Sequence, residues 1–439
     1  MNGLLSVLLL CVPVLLLCAP VLLLCAPALL AQRQVVGTVI DGETGEPLQF
    51  ANVWVQESHK GTTSDRDGRF TLALEAGEHR VTASYIGYGS QTKTVSVPAQ
   101  GEMRFVLRSS AFEMPQVEVT PGDNPALRII RRAIEMKEVR RERLRNYSLT
   151  SHSKVLLRMS GALKGMMETR GERSRVGVGI GGGTEDASTS GDTTAQADSA
   201  RVLPIILETQ TEAWWAAPDR YKEIITARKQ SAMIPSQGNI IISQFFIVDF
   251  SDDDFRFDDR SPVPGPISER GLRSYYYRLI GTTRLEDTKI YQIEISALDE
   301  NDPLFEGMIY IADSTYALSM VDVHLNDAAL PTMFTSLAFK QHFRLFDGEF
   351  WQPVDVVFDA DVNVPVVNIG IGIEGFSVLQ DWRINQQINE NFFDRTRIKV
   401  LKEADERDSA YWEANAKIPS TDEEQRAYER ADSVKAAMD

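Results

Sequence analysis

Apolar residues alternate with polar ones along much of this chain after residue 33, and this two-residue period constrains its fold more than any other feature. Successive side chains of a β-strand point to opposite sides, so each alternating run predicts a strand with one buried face. The runs recur as far as about Asn385, and one helical period interrupts them between Asn124 and Arg145. The pattern therefore predicts a mainly β protein.

Residues 34–109 contain short alternating runs with turn residues between them and no helical period. Six strands are predicted, at Val35–Val39, Ala51–Val55, Phe70–Leu74, Val81–Tyr85, Val95–Val97 and Phe105–Leu107. Short strands at this spacing are typical of a β-sandwich, either Ig-like or transthyretin-like.

Residues 147–390 form a second β-rich region, which contains longer runs. Turn signals at Asp313–Thr315 and at Asp347-Gly348 predict two hairpins. Ile369, Ile371 and Ile373 alternate with glycines, which indicates strand curvature or a close backbone approach. We expect a large, curved, antiparallel sheet that resembles a half-barrel, with a disordered Gly-, Ser- and Thr-rich loop at residues 177–200.

Helices are expected in two places. Residues 110–146 are a linker and a helix, which begins at Asn124-Pro125 and is rich in arginine. Its basic surface is suited to anionic lipid headgroups, but we favour a solvated surface balanced by glutamates. Residues 391–439 form an acidic helical tail, in which Thr421 and Glu424 have the spacing of a capping box.

A set of turn and core residues in the predicted sandwich resembles a known family. Its members keep a fixed order over about 75 residues: Gly37, Asp41, Gly45, Pro47, Asn52, Gly61, Asp65, Gly68, Phe70, Tyr85, Gly87 and Tyr88. The pattern resembles the carboxypeptidase-regulatory-like domain, which occurs at the mature amino terminus of many Gram-negative envelope proteins, including TonB-dependent receptors. The resemblance implies an accessory β-sandwich that carries no zinc ligands and no catalytic groups.

The central region carries a second resemblance. Ser274–Tyr277, Asp302–Asp313 and Gln341–Phe343 look like an uncharacterised family of envelope proteins in which such a sandwich precedes a central β domain, usually followed by an outer-membrane β-barrel. Here the sequence stops at Asp439, so we expect either a short member or a chain truncated before its barrel. Phe305–Asp313 also resembles part of the half-barrels of periplasmic lipoprotein carriers, which line a lipid-sized cavity.

The first 31 residues predict export. Residues 4–31 are almost wholly apolar, and Ala28 and Ala31 offer cleavage sites for signal peptidase. A retained membrane anchor is the alternative, although prolines interrupt any helix there. All three cysteines (Cys11, Cys18 and Cys25) lie in this segment, so the mature chain would have no disulfide and no cysteine nucleophile. We expect the protein in the periplasm or on the periplasmic face of the outer membrane.

Charge limits the class of partner. The 62 acidic residues exceed the 46 basic ones, and the net charge is −16. Nucleic-acid binding requires a concentrated cationic surface, so no nucleic-acid partner is expected. The expected partners are an envelope protein or outer-membrane component, or a lipid.

Motifs for catalysis are missing. The five histidines have no HExxH spacing, and no Gly-x-Ser-x-Gly sequence occurs. Ser151 and Lys154 have the spacing of a Ser–Lys pair without its companion motifs. Six aspartates between Asp249 and Asp259 could bind Ca²⁺, but we favour a solvated acidic loop. The candidate metal ligands are Asp252, Asp253, Asp254 and Asp258. No cofactor is predicted.

We therefore expect a non-enzymatic binding or assembly module of the cell envelope. Its sandwich would dock to a partner, and its curved sheet would hold a hydrophobic ligand or a partner segment. One alternative is a metal-dependent, carboxypeptidase-like hydrolase that uses the aspartates. The other is a truncated remnant of an outer-membrane barrel protein.

Overall fold

The computed structural model describes residues 33–58, 60–99, 101–110, 124–161, 204–232, 248–364, 369–394 and 396–438. The predicted signal peptide, the loop at 177–200 and His59 lie outside the described residues.

The amino-terminal domain is a β-sandwich of seven strands. They are β1 (Arg33–Asp41), β2 (Asn52–Val55), β3 (Gly61–Thr63), β4 (Arg69–Leu74), β5 (Gly77–Ser84), β6 (Gln91–Val97) and β7 (Met103–Leu107). One sheet has the order β4-β1-β7 and the other the order β3-β2-β5-β6. Phe70, Phe105 and Val53 are fully buried between them. The sequence predicted six of these strands; β3 was missed because three residues are too short to show alternation.

Helix α1 (Pro125–Arg143) follows the sandwich. Asn124 caps it as predicted, because its Oδ1 accepts a hydrogen bond from the Ala126 amide at 2.9 Å. The same side chain donates to the Tyr277 carbonyl oxygen at 2.9 Å, which fixes the start of the helix against the central domain.

The central domain contains the remaining strands. They are β8 (Asn146–Gly161), β9 (Ile205–Ala216), β10 (Arg220–Gln230), β11 (Asp254–Phe255), β12 (Val263–Pro264), β13 (Tyr275–Leu285), β14 (Thr288–Ala297), β15 (Phe305–Ala312), β16 (Leu318–Leu325), β17 (Phe334–Phe346), β18 (Phe350–Pro353), β19 (Asp355–Val364), β20 (Ile369–Ile384) and β21 (Ile398–Val400). A short helix, α2 (Gly271–Ser274), precedes β13.

One large sheet dominates this domain. Its order is β13-β14-β15-β16-β17-β19-β20-β8-β9-β10-β21, and β18 pairs with β17. Every pair is antiparallel except β10 with β21. The hairpin predicted at Asp347-Gly348 joins β17 to β18, and both turn residues have positive φ. The large antiparallel sheet predicted from the sequence is confirmed.

Different parts of the chain pack against the two faces of this sheet. On the helix face, Ile130 and Ala133 of α1 pack into the same core as Ile293, Ile309 and Phe358 of the sheet. On the opposite, sandwich face, β3 of the sandwich lies against β20.

The carboxy-terminal segment also covers the sandwich face. It contains α3 (Ser409–Asn415) and α4 (Asp422–Met438). The predicted capping box is confirmed, since the Thr421 amide donates to Glu424 at 3.2 Å and the Glu424 amide donates to Thr421 at 3.3 Å. Within the described ranges, no helix combines the length and apolar character needed to cross a lipid bilayer.

Candidate functional site

An apolar strip crosses the helix face of the sheet at one end. Strand register aligns Val362, Ile371 and Met159 in one row, and Ala360, Ile373, Leu157 and Ile205 in the next. Phe334 extends the first row through its pairing with Val362. We define the apolar strip as Leu157, Met159, Ile205, Phe334, Val362, Ile371 and Ile373, all of which are half-buried. The strip follows directly from the period-two pattern of these strands.

The rest of the helix face is filled by the protein itself. Phe250, Phe255, Phe305 and Phe339 form a buried cluster with ring centroids 5.2–5.7 Å apart. Between α1 and the sheet there is a cavity of about 90 Å³. Sites for drug-sized ligands have volumes of roughly 300–1,000 Å³, so this cavity is too small for a lipid chain. Among the described residues of the helix face, the apolar strip is therefore the candidate site for an apolar ligand or segment.

Ion pairs and an aromatic contact hold the sandwich against the sandwich face of the large sheet. Arg66 pairs with Asp359 at 2.8 Å and with Glu374 at 2.6 Å. The rings of Phe50 and Phe376 lie 5.2 Å apart. One side of the sandwich is thus used within the chain and is unavailable to a partner.

The β4-β1-β7 sheet carries a shallow cavity of about 630 Å³. Thr38 and Ile40 lie at its floor on β1, and Arg69 and Arg104 flank Thr38 on the two neighbouring strands. The side of the sandwich with this cavity is the candidate docking surface of this domain.

The residues of the sandwich motif divide into two groups. Most hold turns or the core of the domain: Gly37, Asp41, Gly45, Pro47, Asn52, Asp65, Gly68, Phe70 and Tyr88. Tyr88, for example, donates to Asp41 at 2.8 Å, and Gly68 has φ +69°. Gly61, Tyr85 and Gly87 instead lie against the central sheet, where Gly61 accepts a hydrogen bond from Gln380 and the Gly87 amide donates to the Arg284 carbonyl.

Two buried histidine–carboxylate pairs lie on the sandwich face. His342 Nδ1 is 2.9 Å from Asp355 Oδ1, and the ring of Tyr85 lies 6.2 Å from the His342 ring. His152 Nε2 is 2.6 Å from Glu208 Oε1, beneath the carboxy-terminal segment. No sequence pattern marks either pair, because the partners are separated by 13 and 56 residues.

The second pair belongs to a buried polar network. Lys154 Nζ lies 2.8 Å from Glu424, and Tyr428 donates to Glu208 at 2.7 Å. Burial opposes the charge of Glu208, but the Lys154 ammonium and the hydrogen bonds from His152 and Tyr428 outweigh it and lower the pKa of Glu208 to about 2. The network ties α4 to β8 and β9.

The candidate metal ligands have cationic partners. Asp253 pairs with Lys137 at 2.5 Å and with Arg141 at 3.0 Å, and Asp252 lies 3.4 Å from Arg141. Asp254 pairs with Arg270, and Asp258 pairs with Arg260 at 2.6 Å. Burial, followed by the charge of Asp249, raises the pKa of Asp252 to about 6. In the part of the chain that the structure describes, no group of three or more His, Cys, Asp or Glu side chains could hold a metal ion.

The Ser–Lys spacing does not produce a pair. Ser151 Oγ lies 2.5 Å from Thr211 Oγ1 on the helix face, whereas Lys154 reaches Glu424 on the other face. Residues three apart on a strand point to opposite sides, so this arrangement follows from β8 being a strand.

A family model matches most of the central domain. The model for the family of unknown function DUF5686 matches residues 129–375. The chain belongs to this family. The model for the CarboxypepD_reg-like domain matches residues 35–119. Both resemblances seen in the sequence are thereby confirmed for this DUF5686 protein.

Curated relatives match a short part of this chain. The chain is 33% identical over 89 residues to TonB-dependent receptor P39 of Formosa agariphila and 34% identical over 89 residues to TonB-dependent receptor SusC of Bacteroides thetaiotaomicron. Each match covers 20% of this chain and 8% of the receptor. The DUF5686 chain therefore spans a small part of the length of these relatives.

Solved structures match part of this chain at low similarity. A DUF1329 family protein from Desulfovibrio piger has a TM-score of 0.24 at 9% identity, over 62% of this chain and 98% of that protein. A LolA superfamily protein from Nitrosomonas europaea has a TM-score of 0.21 at 10% identity, over 62% of this chain and 97% of that protein. TM-scores this low do not establish a common fold.

Proposed function

We propose that this chain is a non-enzymatic binding or assembly module of the cell envelope, and that its large sheet binds an apolar ligand or an apolar segment of a partner. The observation that carries this proposal is the apolar strip. Seven half-buried apolar side chains share one face across five strands of the sheet. Contiguous apolar surface of this kind is typical of interaction sites, because its burial releases water.

The envelope assignment is supported by the amino-terminal domain. The CarboxypepD_reg-like match and the TonB-dependent receptor relatives indicate an envelope-associated protein. Export would depend on the apolar segment at residues 1–31, which has the composition of a signal peptide. The periplasm, or the periplasmic face of the outer membrane, is the compartment we propose.

The sandwich would contribute docking through the side that carries the shallow cavity. The lining of this cavity combines the basic Arg69 and Arg104 with the acidic Asp67 and Glu102, which suits a polar segment of an envelope protein. Another part of the sandwich is already occupied by contacts such as Arg66 with Glu374.

A binding role explains the described side chains better than a hydrolase does. A metal-dependent hydrolase needs carboxylates that are free to ligate, whereas the four candidate aspartates each have a Lys or Arg partner. The proposal is therefore a carrier or assembly role for the apolar strip.

The test uses the purified full chain and the fluorescent apolar probe N-phenyl-1-naphthylamine. We expect the wild-type protein to bind the probe and Ile371→Glu to weaken binding by about ten-fold, since a charge in an apolar site is poorly solvated. Leu298→Glu is the matched control, because Leu298 is 59% exposed and lies outside the strip. Unchanged binding by Ile371→Glu, or equal loss in both variants, would show that the strip is not the binding surface.

A further inference from the structure

Strand β6 (Gln91–Val97) forms an edge of the sandwich. It is the last strand of the sheet β3-β2-β5-β6, and it pairs with β5 along its whole length without a bulge. At the other end of the same sheet, β3 lies against β20 of the central domain. The edge of β6 therefore lies at the end of the sheet that is remote from β20.

The strand register shows which backbone groups face this edge. The amide of Gln56, directly after β2, donates to the Arg80 carbonyl at 3.1 Å, so the backbone groups of Arg80 point towards β2 and away from β6. Arg80 pairs with Thr94, and this is therefore a pair without hydrogen bonds between β5 and β6. The N–H and C=O of Thr94 consequently point outwards, and the two-residue period gives Thr92 and Ser96 the same orientation.

These outer groups have no partner within the ranges that the structure describes. No backbone or side-chain group there bonds to the outer amides and carbonyls of Thr92, Thr94 and Ser96. The side chains of these three residues are exposed as well. A row of unpaired N–H and C=O groups on a regular strand is a template for pairing with another strand.

Other strand edges of this protein are closed by its own side chains. Lys93 Nζ of β6 donates to the Arg104 carbonyl of β7 at 2.5 Å, and Gln91 Oε1 accepts from the Val106 amide of β7 at 3.0 Å. Asn124 likewise donates to a carbonyl oxygen of the edge strand β13. Because Lys93 is directed towards β7, the one charged side chain of β6 does not guard the edge of β6 itself.

The sequence of β6 is complementary to itself. In an antiparallel second copy centred on Thr94, Thr94 lies opposite Thr94, and Thr92 lies opposite Ser96. Each of these pairs exchanges both of its backbone hydrogen bonds, so every outer amide and carbonyl of the two edges gains a partner. Pairs of Thr with Thr or Ser across strands are favourable. The same register places Lys93 opposite Val95, so no like charges face each other.

We propose that two copies of this chain associate through β6, as an antiparallel pair with a two-fold axis at Thr94. Two-fold symmetry of this kind closes the assembly at a dimer. The sheet then runs through both sandwiches in the order β3-β2-β5-β6-β6-β5-β2-β3, with a central domain at each end. Neither the apolar strip nor the shallow cavity contains a residue of β6, so the contact goes beyond the proposed function.

Sedimentation velocity of the purified full chain at about 1–200 µM tests the proposal, since one strand pair buries less surface than a standard interface of about 1,600 Å². We expect a monomer–dimer equilibrium that shifts with concentration. Thr94→Lys should raise the dissociation constant at least about five-fold, because like charges then face each other across the axis. Thr94→Pro should raise it at least about ten-fold, because proline lacks the amide at the axis and is tolerated where that amide faces solvent.

The matched control is Val36→Lys. Val36 is exposed on β1, which has a neighbouring strand on each side, so this variant adds the same charge to the same domain away from a strand edge. It should dimerise as the wild type does. A mixture of Thr94→Lys with Thr94→Glu should restore dimerisation, since opposite charges then face each other. Circular dichroism shows whether each variant is folded.

Three results would overturn the proposal. One is a folded wild-type chain that stays monomeric over the whole concentration range. In that case, binding of a synthetic Gln91–Val97 peptide would show that the edge accepts a strand from a partner other than a second copy. Another is a dimer that neither variant of Thr94 weakens, which would place the contact elsewhere in the chain. The third is an equal loss in Val36→Lys, which would indicate a general effect of charge.

Discussion

His152 and Glu208 form a buried hydrogen bond between β8 and β9, with 2.6 Å between His152 Nε2 and Glu208 Oε1 and side chains only 2% and 4% exposed. The other ring nitrogen, Nδ1, accepts a hydrogen bond from the Lys417 amide at 3.0 Å. Because a backbone amide can only donate, Nδ1 carries no proton, and the ring is the neutral tautomer with its proton on Nε2. The pair therefore joins the sheet to the carboxy-terminal segment through one imidazole.

Lys154 is the cation that this network requires. Burial opposes its charge, but Glu208 and Glu424 outweigh burial and raise the pKa of Lys154. Lys154→Met leaves two buried carboxylates without their cation, and we expect it to lower the free energy of unfolding by about 3–5 kcal/mol. Urea denaturation followed by circular dichroism measures this difference.

The matched control is Lys60→Met. Lys60 pairs with Glu75 at 3.4 Å in a more exposed setting, so its loss should cost less than about 1 kcal/mol. Equal losses in the two variants would show that burial of the network contributes nothing to stability.

The network also predicts acid sensitivity. The pKa of Glu208 falls from 4.5 in the unfolded chain to about 2 in the folded one. A carboxylate with a depressed pKa stabilises the fold above its unfolded pKa, and this contribution is lost as the pH falls from 4.5 towards 2. The difference in unfolding free energy between wild type and Glu208→Gln should therefore be largest at pH values above 4.5 and should shrink below it. A difference that stays constant across this range would refute the assignment.

Local features of this fold could be predicted from the sequence, because they depend on neighbouring residues. The Asn124 cap, the hairpin at Asp347-Gly348 and the capping box of Thr421 and Glu424 each need only a few consecutive positions. The apolar strip also follows from period two once the strand register is known.

Contacts between distant segments could not be predicted in this way. Lys154 and Glu424 are 270 residues apart, and the sequence does not show which face of β8 the carboxy-terminal segment covers. The unpaired charge of Arg140 was also not apparent, since the sequence indicated only a solvated basic helix. Its partners turned out to be the carbonyl oxygens of the β15–β16 turn.

The contribution of Asp65 to stability should change with pH in the opposite direction to that of Glu208. Burial raises its pKa from 3.8 to about 6, even though the amides of Asp67 and Arg69 donate to its Oδ1. A carboxyl whose folded pKa is raised destabilises the fold as the pH rises from 3.8 through 6. Asp65→Asn keeps an oxygen for the two amides and removes the charge, so we expect it to stabilise the protein at pH 7 by about 1–3 kcal/mol. Thermal unfolding at pH 7 and at pH 4 measures this, and a gain of equal size at both pH values would contradict the electrostatic cause.

At Gly375, in the middle of the large sheet, there is no room for a side chain. The glycines at 370 and 372 suggested a close backbone approach, but a Cβ at Gly372 would meet its nearest neighbour only at 3.7 Å. The close approach is at Gly375, where a Cβ would lie 2.1 Å from the ring of Phe358 on β19.

We expect Gly375→Ala to cost about 1–3 kcal/mol of unfolding free energy through overpacking. Gly372→Ala is the matched control and should be neutral or stabilising by up to about 1 kcal/mol, because alanine restricts the unfolded chain. Combining Gly375→Ala with Phe358→Leu makes room for the methyl group, so the double variant should be more stable than the sum of the two single effects predicts. Strict additivity in urea denaturation would show that the Phe358 ring is not what excludes a side chain at this position.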